Sequence, residues 1–139
     1  MERLCEEDRD VYIFDMYNAS IYPQDQQARK RIDLDVPLTP HTADQTYLSL
    51  LEDHLPVAIQ EANPRLAFYN AGTDIYDQDP LGGLDVSAEG VFQRDRMVIE
   101  ALREANIPCV MVLSGGYSQE SFRLISRTVG YILDQSSGA

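Results

Sequence analysis

Two short stretches of this chain carry side chains whose chemistry could be combined. One is Phe68-Tyr69-Asn70-Ala71-Gly72-Thr73-Asp74, an apolar run that breaks through Gly72 and delivers a carboxylate. The other is Ser114-Gly115-Gly116-Tyr117, which delivers a phenol behind two glycines. A carboxylate can hold a divalent cation through oxygen. A neutral phenol can donate a hydrogen bond to an oxygen that gains negative charge during acyl transfer. Gly115 and Gly116 would let a substrate come close to the backbone. Each stretch also has a plainer reading. Asp74, Asp77 and Asp79 are favoured turn residues, and taken alone the local pattern favours that role. The Gly pair fits an ordinary strand-to-helix turn, and Tyr117 fits an amphipathic surface tyrosine. A calcium loop is excluded, because Pro80 stands where that template needs Gly.

What separates these readings is whether the elements bring the two stretches together. Leu66–Tyr69, within a strand expected over 65–71, and Cys109–Leu113 read as buried strands, the second as a central one. Ser87 can cap a helix between them, over 88–105, with Glu89 in its first turn. A strand-helix-strand unit of this kind is parallel with a right-handed crossover. Asp74 and Tyr117 then share the carboxyl rim of one sheet, where open α/β sheets bind ligands. Upstream, Val11-Tyr12-Ile13-Phe14 reads as a buried strand ending at Asp15. The stretch 31–37 alternates with period two, as a strand with one exposed face, suited to a sheet edge, and Pro37 closes it. A helix is expected over 43–61, kinked or split at Pro56 and ended by Asn63-Pro64. A last helix runs from Ser118 to about Leu133. Residues 1–10 are a polar lead-in and 134–139 a fraying tail. The fold class is α/β, a mostly parallel sheet with flanking helices in one domain or a piece of one.

The 139 residues are 44% hydrophobic, enough for a packed core. A formal net charge of -12 argues against direct binding of nucleic acid, which relies on clustered Lys and Arg. It is compatible with cationic substrates such as lysine side chains. No stretch is apolar enough to span a bilayer. The first residues lack the apolar core of a signal peptide. Cys5 and Cys109 have no paired metal spacing, and Cys109, inside an apolar run, reads as a buried thiol.

In order along the chain, these motifs resemble the histone deacetylase and arginase-like family, and most closely its class IV deacetylases. Tyr69-Asn70-Ala71-Gly72-Thr73-Asp74 is similar to the family's third zinc-ligand motif. Asp79-Pro80-Leu81-Gly82-Gly83-Leu84 is similar to the segment after it, and Ser114-Gly115-Gly116-Tyr117 to the catalytic tyrosine loop. Val11–Asn18 and Ile21-Tyr22-Pro23 also resemble that class. The resemblance implies that Asp74 binds Zn2+ and that Tyr117 stabilises the oxyanion. It implies that Leu81 lines the end of the acyl pocket. It implies a structural K+ at Asp15 and Met16. The implied reaction removes an acyl group, acetyl or long fatty acyl, from a lysine ε-nitrogen of proteins such as histones. Zinc polarises the carbonyl and activates water, and histidines move the proton. Nuclear or cytoplasmic localisation follows from the same resemblance.

The departures are as informative. The family's Asp-x-His pair of zinc ligands and its two adjacent histidines are absent. The only histidines are His41, in a loop, and His54, in the expected helix; both read as structural or solvent-exposed. The chain is therefore expected to be the C-terminal portion of a deacetylase domain, inactive alone, with the N-terminal half as its missing partner. Two rival readings are a catalytically dead interaction module and an unrelated domain that binds a small anion at the Gly115-Gly116 turn.

Overall fold

A computed structural model describes Asp8, residues 10–21 and residues 26–136. It contains two parallel strand pairs flanked by helices. In the first, β1 (Phe14–Asn18) pairs with β2 (Leu34–Leu38), Asp15 opposite Asp35 and Met16 opposite Val36. In the second, β3 (Ala67–Asn70) pairs with β4 (Cys109–Val112), Ala67 opposite Cys109 and Asn70 opposite Val112. A short helix, α1 (Gln26–Arg29), lies between β1 and β2. The long helices are α2 (Asp44–Ala62), α3 (Ala88–Glu104) and α4 (Ser121–Ser136). No helix among the described residues is long and apolar enough to cross a membrane.

The core has two parts. One packs Leu51 and Leu55 of α2 against Val98 and Leu102 of α3, with Phe14, Met16, Ala67 and Tyr69 laid on them. The other gathers Val36, Leu38, Tyr47, Val86, Val91 and Leu124. Two caps place the helices. Ser87 Oγ accepts the Gly90 N–H at 3.0 Å, as the sequence predicts. The same hydroxyl donates to Asp44 Oδ2 at 2.6 Å, tying the start of α3 to the start of α2. Asn63 ends α2 in the left-handed conformation, φ 41°, its N–H bonded to the Ile59 carbonyl.

Five expectations need correction. Asp15 and Met16 lie inside β1, not past its end, because the pairing with β2 begins at Phe14. Pro37 lies within β2 rather than closing it. Pro56 does not divide α2. It sits on the exposed face, where the carbonyl it leaves unbonded can meet water, while Leu51, Leu55 and Ala58 keep the other face packed. Cys109 is exposed, and so are Val110, Val112 and Leu113. Among the described residues β4 pairs with β3 alone, which leaves its outer edge unpaired, and the sheet face that carries Val110, Val112 and the paired Phe68 has no layer packed over it, so all three are exposed. The helix after Tyr117 starts at Ser121 and includes residues 134–136 of the expected tail. Residues 137–139, most of the lead-in, and Tyr22-Pro23 lie outside the described residues.

Candidate functional site at the carboxyl rim of the second strand pair

Because β3 and β4 are parallel neighbours, the loops that follow them leave from one rim. The ladder continues beyond the strands. The Ala71 N–H reaches the Val112 carbonyl at 2.9 Å and the Thr73 N–H reaches the Gly115 carbonyl at 2.6 Å. The structure therefore joins the two stretches that carry Asp74 and Tyr117.

Asp74 lies half-buried against Gly115. A Cβ on Gly115 would come within 2.2 Å of Asp74 Oδ2 and 2.7 Å of its Cγ. Only a hydrogen at that position lets the carboxylate sit there. Gly116 adopts φ +148°, and a Cβ there would meet Thr73 Oγ1 at 2.1 Å. Burial pushes the Asp74 carboxyl above the usual carboxylate range. Its own backbone N–H and Arg94 oppose that rise, and the negative charge of Asp79 adds to it. Such a carboxylate gains from a cation brought close to it.

Tyr117 and Leu81 are both well exposed at this rim, at 60% and 59%. Their loops are linked through Asp79, which is buried. Its Oδ1 accepts the N–H groups of Leu81 at 2.9 Å and Gly82 at 3.0 Å. Its Oδ2 accepts those of Tyr117 at 2.6 Å and Ser118 at 3.2 Å. The end of β1 reaches the same loop, where Asn18 Nδ2 donates to the Gly82 carbonyl at 2.9 Å. Asp15 and Met16 lie in β1, within the other strand pair, where Met16 packs against the core. His41 is exposed and faces Asp85, and His54 Nδ1 lies 2.7 Å from the Leu50 carbonyl on its own helix. The structure brings neither into the Asp74 loop.

Beneath the rim is a buried polar network that sequence reading missed. Arg94 donates from Nε to Asp95 at 2.9 Å and from Nη1 to the Gly72 carbonyl at 2.7 Å. Asp95 also accepts the hydroxyls of Tyr69 and Thr128, both at 2.5 Å. A signal for it existed. Val91, Arg94, Asp95, Val98 and Leu102 recur at helical spacing, which puts both charges on the buried face of α3.

The Gly115-Gly116 turn offers little to an anion. The Tyr117 and Ser118 N–H groups that would receive one already point at Asp79. For a metal, the rim provides one carboxylate. Among the described residues no group of three or more His, Cys, Asp or Glu could hold an ion. A catalytic zinc takes about three protein ligands, so these residues do not by themselves fit one.

Parallel strands flanked by helices make this an α/β protein, and its structural neighbours give it the arginase and deacetylase fold. The family model described as "Histone deacetylase domain" matches residues 1–133, and the chain belongs to that family. It is 47% identical over 123 residues to "Histone deacetylase 2" of Arabidopsis thaliana, covering 88% of this chain and 32% of that protein. It is 28% identical over 108 residues to a "Probable deacetylase" of Archaeoglobus fulgidus, covering 76% and 30%. Among solved structures it is similar to the HDA15 HD domain, with TM-score 0.76, 19% identity, and coverage of 95% of this chain and 39% of that one. It is also similar to acetylpolyamine aminohydrolase from Burkholderia pseudomallei, with TM-score 0.71, 23% identity, and coverage of 86% and 36%. The chain thus spans about a third of the length of the curated relatives named here.

Proposed function

We propose that this chain supplies part of the active site of a zinc-dependent lysine deacylase. The observation that carries the reading is the junction at the rim, where Thr73 bonds to Gly115 at 2.6 Å and places the Asp74 and Tyr117 loops side by side. Family membership supports it. In this reading Asp74 is one ligand of a zinc ion whose other ligands lie outside this chain. That ion would supply Lewis-acid polarisation of the acyl group. Tyr117 donates its phenolic proton in a hydrogen bond to the acyl oxygen and stabilises the charge that develops there. Leu81, with Gly115 and Gly116, forms the wall against the acyl chain. The substrate is an acyl-lysine side chain of proteins such as histones, carrying acetyl or a longer fatty acyl group. The chain corresponds to the C-terminal portion of a class IV-like domain acting in the nucleus, the cytoplasm or both. A structural K+ near Asp15 and Met16 belongs to the same reading.

The test is zinc content and turnover of acetyl- and long-chain acyl-lysine peptides in the full protein that carries these residues. Asp74→Asn should lose zinc and activity together. Tyr117→Phe should keep zinc and lose about a hundredfold in turnover, the effect of removing one oxyanion donor. Equal loss of zinc in both would contradict the division of roles.

A second reading is an interaction module that keeps part of the fold without catalysis. The lack of any three-ligand group among the described residues favours it for the chain alone. Acyl-lysine turnover that appears when the rest of a family domain is supplied, and that Tyr117→Phe lowers, would exclude it.

A further inference from the structure

Asp77 is exposed and Asp74 is half-buried, whereas Asp79 retains only 8% exposure. A buried carboxylate must have its oxygens satisfied. Asp79 achieves this with four backbone N–H groups, two on each oxygen. Leu81 and Gly82 are two and three residues away, and Tyr117 and Ser118 are 38 and 39 residues away. The first pair is an ordinary turn. The second pair is a long-range tie, and its first member is the amide of Tyr117 itself. Hydrogen bonds to an ionised acceptor are roughly twice as strong as neutral ones. One side chain therefore joins the loop bearing Leu81 to the loop bearing Tyr117.

We propose that Asp79 is a positioning residue for Tyr117: it makes the two loops one body and so sets where the phenol stands relative to the Asp74 carboxylate and the Leu81 wall. Its effect on turnover rests on the deacylase reading above; its effect on the loop stands on the hydrogen bonds alone. Asparagine has the same shape but only one acceptor oxygen. Its amide group would turn N–H against one of the two N–H pairs, so Asp79→Asn releases one side of the clamp.

The experiment uses the full zinc-loaded protein as wild type, Asp79→Asn, Tyr117→Phe and the double variant. Amide exchange is followed over segments 80–82 and 116–119, with kcat and KM on an acetyl-lysine peptide. In the wild type, the Tyr117 and Ser118 amides should be the most protected of their loop; rapid exchange there overturns the clamp without any variant. In Asp79→Asn, exchange at 116–119 should rise about tenfold or more while α3 is unchanged. The kcat should fall about tenfold or more with KM held within about twofold, because the group displaced acts in the transition state. In the Tyr117→Phe background the same substitution should cost less than about twofold, since the hydroxyl it aims is gone. Equal losses in both backgrounds, or unchanged exchange at 116–119, would overturn the proposal. A wild type with no turnover whose 116–119 amides are still released by Asp79→Asn would overturn the deacylase reading and keep the clamp.

Discussion

Arg94, on the buried face of α3, donates to the carbonyl of Gly72, two residues before Asp74, at 2.7 Å. The same guanidinium holds Asp95, and Asp95 holds Tyr69 of β3 and Thr128 of α4. One ion pair thus fastens a strand, two helices and the start of the candidate site. Removing one partner of such a pair leaves a buried charge alone. Arg94→Met should cost about 3–5 kcal/mol of stability. Arg94→Met with Asp95→Leu should cost less than the sum of the two single changes. Urea unfolding of the three variants measures both.

The contact of Asp74 with Gly115 predicts a second outcome. In Gly115→Ala the new methyl group would stand 2.2 Å from Asp74 Oδ2, so carboxylate or loop must move. Displacing a reacting group by about 1 Å can cost on the order of a hundredfold in rate. Gly115→Ala should lower both zinc content and turnover of the full protein, whereas Tyr117→Phe lowers turnover alone. Metal analysis beside an activity assay separates them.

Much of this was legible in the sequence. Apolar runs bounded by Pro, Gly or Asn gave β3, β4, α2 and α3 to within a residue or two, because burial periodicity and turn residues act locally. The shared rim followed from the order of those elements. Other features depend on contacts distant in sequence. Asp79 in a turn and Asp79 as a loop clamp have the same neighbours, and only the approach of Tyr117 distinguishes them. Val110 and Val112 read as buried, but an apolar run cannot tell whether a neighbour is present to cover it. Pro56 was misjudged because packing of α2 against α3 outweighs a local penalty on an exposed face.

The N-terminal segment makes its own prediction. Tyr12 donates to Glu61 Oε2 at 2.6 Å, joining the chain before β1 to the last turn of α2. Burial, and then the bond to Glu61, raise the Tyr12 phenol from 10.0 to about 12. A pKa raised on folding contributes stability that is whole below the unfolded value and lost as pH climbs through the folded one. That contribution should therefore be intact below about pH 10 and gone a little above pH 12. Tyr12→Phe should flatten this part of the alkaline denaturation curve, monitored by circular dichroism.

The chain by itself should show no zinc-dependent deacylase activity, since its described residues offer no three-ligand site. It should also associate. Among the described residues β4 presents an unpaired edge, with Val110, Val112 and Leu113 exposed, and α4 exposes Phe122, Val129 and Leu133. Co-expression with the rest of a family domain should raise the monodisperse yield and bring acyl-lysine turnover with it. Chelator-sensitive turnover by the 139-residue chain alone would contradict this.

Pro37 gives the first strand pair a direction. It stands inside β2, opposite Tyr17, and lacks the N–H that a further ladder would draw on. β2 is thus a terminus, a border that refuses a new strand. β1 has no proline in its span and can accept one on its far side. A strand added to this pair would find an uninterrupted set of donors only on the β1 flank, so growth there favours one direction.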